Sequence, residues 1–190
     1  KAYPSPPVMP MYRTFLVDEI KSTHMAMVDS RFKYDAVFAL GLREYYMGLM
    51  GTYDKFMGGS PESEKIWKAY CSALGLDAEK VNADADSAVG YAKETAPATI
   101  LGDMEGKKGA LGDAFGSIGS GLYSMSFSVG LFKMMQAAGV ELSTANAEEW
   151  AKALEITPSK VSGDLKTYKL NQEKMLAAEE MLREIEIREK

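Results

Sequence analysis

Two stretches 89 residues apart repeat one pattern, Phe38-Ala-Leu-Gly-Leu42 and Phe127-Ser-Val-Gly-Leu131. A glycine set one turn into an apolar run suits a helix that must admit a second backbone, because only a missing Cβ permits that approach. The echo continues downstream. Ala73-Leu-Gly-Leu-Asp-Ala-Glu-Lys-Val-Asn-Ala-Asp84 and Ala153-Leu-Glu-Ile-Thr-Pro-Ser-Lys-Val-Ser-Gly-Asp164 share Ala, Leu, Lys, Val and Asp at identical spacing, and Tyr70 lines up with Trp150. The linkers differ, with 32 residues from Gly41 to Ala73 and 23 from Gly130 to Ala153. Each half is therefore expected to supply a core helix, a short helix and a capped longer helix. That makes an internal repeat within one pseudo-symmetric body, not two separable domains.

No period-2 run of convincing length occurs, so the expected fold is all-α. Residues 1–11, containing "YPSPPVMP", read as an extended, polyproline-like strap, and 12–190 as a single helical domain. Val17, Ile20, His24 and Met27 recur at spacings of 3, 4 and 3, which predicts a helix over 12–28 with these on its apolar face. Asp35 is placed to N-cap a helix running to about Met57, with Val37, Leu40, Tyr45, Leu49, Tyr53 and Phe56 on its apolar surface. Gly58 reads as its stop and Ser60 before Pro61 as a new cap. A short helix follows over Ile66–Leu74, and Asp77 caps another bearing Val81, Ala85, Ala88 and Ala92. Between 101 and 121 the glycines suggest either a loop or a bare stripe at Gly109, Gly112, Gly116 and Gly119. At about 1 kcal/mol per helical glycine, a loop is favoured, with helix from about Phe115 onward. Thr157 before Pro158 starts a final helix to about Arg188, roughly 45 Å long. Its Val161, Leu165, Tyr168, Met175, Ala178, Leu182 and Ile185 form a narrow seam, and Glu179–Arg183 and Glu184–Arg188 are i,i+4 pairs.

A net charge of −5 and a pI near 5.1 argue against nucleic-acid partners, which require a basic face. The uncharged run Ala114–Phe132 approaches the roughly 20 residues of a membrane span, but its serines and glycines favour a buried helix with small residues at its contacts. Cys71 stands alone and reads as a small buried residue, excluding an internal disulfide. A start at Lys1 implies an upstream targeting segment, of which no signal pattern remains.

Chemistry is hard to find in this chain. His24 is the single histidine, which removes most nucleophile–base pairs and every His-rich metal site. "NADAD" at 82–86 resembles a calcium loop, but Ser87 stands where the loop needs glycine and Lys93 where it needs a glutamate. "GDMEGKKG" lacks phosphate-loop spacing, and "GSIGSG" follows no strand. No cofactor, metal or catalytic residue is expected. Thirteen methionines fill packing gaps or offer an adaptable binding surface.

"YDAVFALGL" (34–42), "IWKAYCSALGLDAEKVNADADSAVGYA" (66–92), "FSVGLFKMMQAAG" (127–139) and "ALEITPSKVSGDLKTYK" (153–169), in this order, resemble the thylakoid formation protein family, the photosystem II biogenesis factor of cyanobacteria and chloroplasts. The resemblance covers nearly the whole chain. It implies an all-helical, non-enzymatic plastid protein, peripheral at the stromal face of the thylakoid and not spanning it. Its implied partners are core subunits of photosystem I or II and neighbouring light-harvesting antenna proteins. A soluble regulator of thylakoid protease abundance and photosystem II repair is the alternative. What carries over is a structural motif, Tyr34, Asp35, Phe38, Ala39, Leu40 and Gly41, which Phe127 and Gly130 echo; Thr157 and Pro158 are added from their spacing. Two departures stand out. "REYYMGL" after Gly41 predicts about two extra turns that carry Tyr45, Tyr46 and Met47 as candidate docking residues, and 102–121 is Gly-rich where a charged helix is expected.

Overall fold

The computed structural model describes residues 8–56, 59, 61–119 and 121–188. Among them every regular element is helical. In chain order these are α1 (Pro10–Met27), α2 (Ala36–Met50), α3 (Tyr53–Phe56), α4 (Glu62–Ala73), α5 (Ala78–Glu94), α6 (Pro97–Gly106), α7 (Gly112–Ile118), α8 (Met125–Ala137), α9 (Thr144–Ala153) and α10 (Pro158–Arg188).

α2 and α8 lie at the centre and form the most extensive helix pairing of the fold. Val37 to Leu42 and Ser126 to Phe132 are buried without interruption, so both helices are enclosed on every side where they cross. The reason is the paired glycines. A Cβ on Gly41 would sit 1.6 Å from the Ser126 carbonyl oxygen, and one on Gly130 would sit 2.0 Å from that of Val37. Each glycine thus faces the carbonyl four residues before the other; the repeat predicts a close helix approach at each glycine, and the structure shows that the two approaches are one reciprocal contact. Across the same junction Lys133 reaches Glu44 at 2.9 Å, each residue three beyond its glycine.

This crossing divides the interior. On one side Phe38, Leu42 and Tyr46 pack with Trp67, Tyr70 and Val81 from α4 and α5. On the other, Phe127, Leu131 and Phe132 pack with Trp150, Val161 and Leu165 from α9 and α10. The halves also turn alike. α4 and α9 end in matching loops in which Leu76 N–H donates to Cys71 (2.9 Å) and Ile156 N–H to Ala151 (2.8 Å). The left-handed position in each loop is Gly75 (φ 72°) in the first half and Glu155 (φ 60°) in the second.

Four expectations are corrected. α1 buries Tyr12, Leu16 and Thr23, whereas Val17 and His24 are exposed, because its inner face is rotated from the one its spacing suggested. α2 stops at Met50, and Tyr53, fully buried in the next short helix, takes over. The 101–121 region is not a loop leading into one long helix: Ile100 and Met104, one turn apart and both fully buried, hold α6 helical to Gly106. A turn then leads to α7, and Ser124 caps a separate α8, so the uncharged 114–132 run is broken. No described helix is long and apolar enough to cross a membrane.

Pro10 begins α1, so the helix enters the end of the anticipated strap; residues 1–7, Met57, Gly58 and Ser60 lie outside the described residues. So do the side chains of Phe56, Ala178, Glu179, Leu182, Arg183, Ile185 and Arg188, on which part of the expected surfaces and pairs fell. Within the seam, Val161 and Leu165 are buried and Tyr168 and Met175 partly so.

The crossing yields a direct expectation. Gly41→Ala or Gly130→Ala drives a methyl into a backbone carbonyl that cannot move without parting the helices, and should cost more than about 3 kcal/mol or prevent folding. Gly90→Ala in α5, where nothing lies within 4 Å, should instead stabilise by about 0.5–1 kcal/mol. Urea denaturation of the three variants measures both.

Candidate functional site

The head of α2 is built by Asp35. Its extended backbone (φ −147°) ends the preceding loop, and its carboxylate accepts the Phe38 N–H at 2.8 Å. Ser124 does the same for α8, accepting the Phe127 N–H at 3.2 Å. Each cap follows a tyrosine, and each tyrosine ring meets the phenylalanine edge-on, Tyr34 with Phe38 at 5.9 Å and Tyr123 with Phe127 at 6.1 Å. Over each ring sits a lysine from the half's own later helix, Lys80 at 4.9 Å and Lys160 at 4.7 Å.

Asp84 completes the first cluster, accepting the Tyr34 hydroxyl at 2.7 Å and pairing with Lys80 at 2.6 Å. Burial raises the Asp84 carboxyl, but hydrogen bonds from Lys80 and Tyr34 hold it below its ordinary range. In the second cluster Asp164 stands in the matching place, near enough to the buried Tyr123 hydroxyl to raise its phenol, but without the well-formed hydrogen bond that Asp84 makes to Tyr34. Burial, with Asp84 and Asp164 adding to it, pushes both phenols upward, so both stay protonated. These are fasteners, tying the start of α2 to α5 and the start of α8 to α10.

The motif Tyr34, Asp35, Phe38, Gly41, Phe127 and Gly130 is therefore gathered at one place, the α2–α8 crossing. Thr157 and Pro158 are not part of it. They start α10, where the Thr157 carbonyl accepts the Lys160 N–H at 3.1 Å. Spacing alone had aligned Lys80 with Lys160 and Asp84 with Asp164, but not their contacts; Ser124, three before Phe127 as Asp35 is before Phe38, was the overlooked signal.

The docking trio separates. Tyr46 is 2% exposed, its ring against Trp67 at 4.8 Å and its hydroxyl donating to the Ser63 carbonyl at 2.6 Å, so it belongs to the core and is unavailable to a partner. Tyr45 is half-buried, its phenol raised first by burial and then by Glu19 of α1. Met47 is 49% exposed. Adjacent helical residues point about 100° apart, which is why one of the two tyrosines had to turn inward.

Beside the α2 cap lies an open cleft of about 570 Å³ between Lys33–Ala36 and the 107–117 turn. Lys33 and Asp35 on one wall and Lys107 and Asp113 on the other give it a mixed lining without a nucleophile–base pair. Lys107 is drawn off to Glu155 at 2.9 Å, both residues holding left-handed backbone. Elsewhere, burial pushes the Cys71 thiol up to about 12, which keeps it protonated and unreactive at neutral pH. His24 is exposed on α1, and among the described residues no group of His, Cys, Asp or Glu is able to hold a metal ion.

Set against known proteins, residues 1–190 match the family described as Thylakoid formation protein. A chloroplastic protein from Solanum tuberosum named THYLAKOID FORMATION1 is 33% identical over 97% of this chain and 63% of its own length. The protein Thf1 of Crocosphaera subtropica is 28% identical over 91% of this chain and 74% of its own length. The chain thus spans under two thirds of that plant relative. A solved structure of Psb29 superimposes with a TM-score of 0.77 over 92% of both chains, at 24% identity, and shares the helical fold.

The cap itself carries a pH signature. Burial pushes the Asp35 carboxyl up to about 6, against the opposing pull of the Phe38 and Val37 amides. The folded state then holds the proton more tightly than the unfolded chain, so this contribution is present below about pH 4 and lost as pH rises through 6. Asp35→Asn keeps a capping oxygen and removes the charge. Its stability relative to the wild type should rise from pH 4 to about 6 and then level off in parallel melting curves; a constant difference would contradict the assignment.

Proposed function

Because the chain belongs to the thylakoid formation protein family, we propose that it is a non-enzymatic peripheral subunit or assembly factor of a thylakoid photosystem complex in the plastid. The observation that carries this reading is the family match over the whole of residues 1–190. The word chloroplastic in the plant relatives' names supports the compartment, and the name Psb29 supports photosystem II as the host, with photosystem I as the other candidate. The stromal face and core or antenna subunits as partners belong to the same proposal.

The interior supports a docking role in a specific way. Its partly buried carboxylates Asp35 and Asp84 serve as cap and fastener, and its cleft has charges of both signs without reactive geometry. Interaction with partners then falls to the surface, and on α2 the exposed Met47 and the half-buried Tyr45 replace the trio as the contact to test. Two outcomes check the reading. After gentle detergent extraction the protein should migrate with photosystem polypeptides on gradients; recovery solely from the free soluble pool, with loss of thylakoid protease when the gene is removed, would favour the protease regulator. Met47→Lys should weaken retention while leaving the melting temperature within about a degree, as an exposed change does. Tyr46→Ser should destabilise by about 3 kcal/mol or more through the cavity it leaves.

A further inference from the structure

The final helix keeps one inward row. Leu165 is buried and Tyr168, Gln172 and Met175 partly so, at spacings of 3, 4 and 3, and Met175 is the last described side chain of α10 that is not exposed. Tyr168 sits on the body of the fold, its ring 5.4 Å from that of Phe132, and the Gln172 amide donates to its hydroxyl at 2.9 Å. Met175 reaches α2. A Cβ on Gly48 would stand 2.6 Å from the Met175 Cε and 3.7 Å from its sulfur, and no other described residue beyond α2 itself comes within 4 Å of that point. A thioether methyl therefore fills a notch that only a glycine leaves open.

That seat carries the end of the helix. The span beyond it, 176–188, is about 20 Å long, and its described side chains are all exposed. A helix without a packed face is marginal in water, so among the described side chains beyond Gln172 the Met175 contact is what holds this end against α2. The contact is also open to chemistry. Met175 is only partly covered, and a thioether reacts with peroxides without first losing a proton, whereas the enclosed and protonated Cys71 offers them no thiolate. Met25, Met47 and Met181, at 70%, 49% and 65% exposure, are open to oxidant as well, but a side chain already in water loses little by becoming polar.

We propose that Met175 is an oxidation site at which a peroxide unlatches the end of α10 from α2. The sulfur lone pair takes one oxygen of hydrogen peroxide or an organic hydroperoxide; the O–O bond breaks, the S–O bond forms, and the other oxygen leaves with a proton as water or an alcohol. Sulfur loses two electrons and the peroxide gains them. The sulfoxide oxygen then needs hydrogen-bond donors, but the wall it faces is a helix whose N–H groups are already bonded within α2. It leaves the notch for water, and residues 169–188 lose their seat. A methionine sulfoxide reductase supplied with thiols reverses the step, releasing water and a disulfide. Gly48 follows Met47, so release uncovers α2 beside the contact proposed above for partners; the latch itself rests on the packing of Met175 and stands whether or not that surface docks.

Hydrogen exchange of the full chain, read by mass spectrometry before and after hydrogen peroxide treatment, tests this, with peptide masses reporting the sulfoxide at each methionine. Once Met175 is oxidised, amides of 169–188 should exchange about tenfold faster while those at the α2–α8 crossing are unchanged, and sulfoxide reductase should restore the slow rate. Met175→Leu keeps an apolar side chain of similar volume that peroxide does not oxidise. Treated with peroxide, it should show no acceleration although Met25, Met47 and Met181 are converted. Gly48→Ala displaces the Met175 methyl without any oxidant and should speed the same amides in the untreated protein. Met175 that stays a thioether when Met25 and Met181 are fully converted overturns the proposal. So does unchanged exchange once its sulfoxide has formed, the same acceleration in peroxide-treated Met175→Leu, or a Gly48→Ala protein whose α10 exchanges like the wild type.

Discussion

The approach of α2 to α8 at Gly41 and Gly130 sets the terms for everything else in this molecule. Two backbones meet where each Cβ would stand, so neither helix has an outer side at that point, and the rest of the chain must wrap both. That explains why the interior is two clusters rather than one, the first built on α2 and the second on α8 with Val37 and Leu40 of α2 reaching into it. It also explains why the helix starts are so heavily fastened. A cap, an edge-on aromatic contact and a lysine over the tyrosine recur on both sides, because the angle at which each helix enters decides whether the glycines meet.

Such an architecture places its polar chemistry in the service of geometry. Asp35 accepts backbone amides, Asp84 accepts Tyr34 and Lys80, and Cys71 is protonated and enclosed. A rigid centre of this kind is suited to presenting an outer surface, which fits membership in a family named for thylakoid formation. Apolar side chains are left outside on α1, at Met47 and at Leu170, Leu176 and Met181 of α10.

Much of this was legible in the sequence because the governing constraint is local in pattern. A glycine at the same place in two apolar runs marks both as points of close helix approach, though not as each other's partner, and Asp35, Asp77 and Pro158 mark helix starts that the structure keeps. What failed was what depends on the surroundings. α1 is apolar on both sides, so its spacing fits two faces, and the chosen one, through Val17 and His24, straddles the exposed side. The glycines of 101–121 read as loop because their helix cost is visible in sequence, whereas the burial of Ile100 and Met104 that offsets it is not. Tyr45 and Tyr46 are adjacent and cannot face the same way; the spacing puts Tyr45 on the apolar face, and only the packing against Trp67 and Tyr70 shows that Tyr46 is the one that turns inward.

Native-state hydrogen exchange followed by NMR tests the central claim most directly, since it ranks amides by the opening needed to expose them. If the crossing holds the two halves together, the amides of Leu42 and Leu131, just beyond the paired glycines, should exchange only with global unfolding, later than those of α4 and α9. Exchange at Leu42 or Leu131 while α4 and α9 remain protected would show that each half holds itself together and that the crossing is a consequence of the fold, not its foundation.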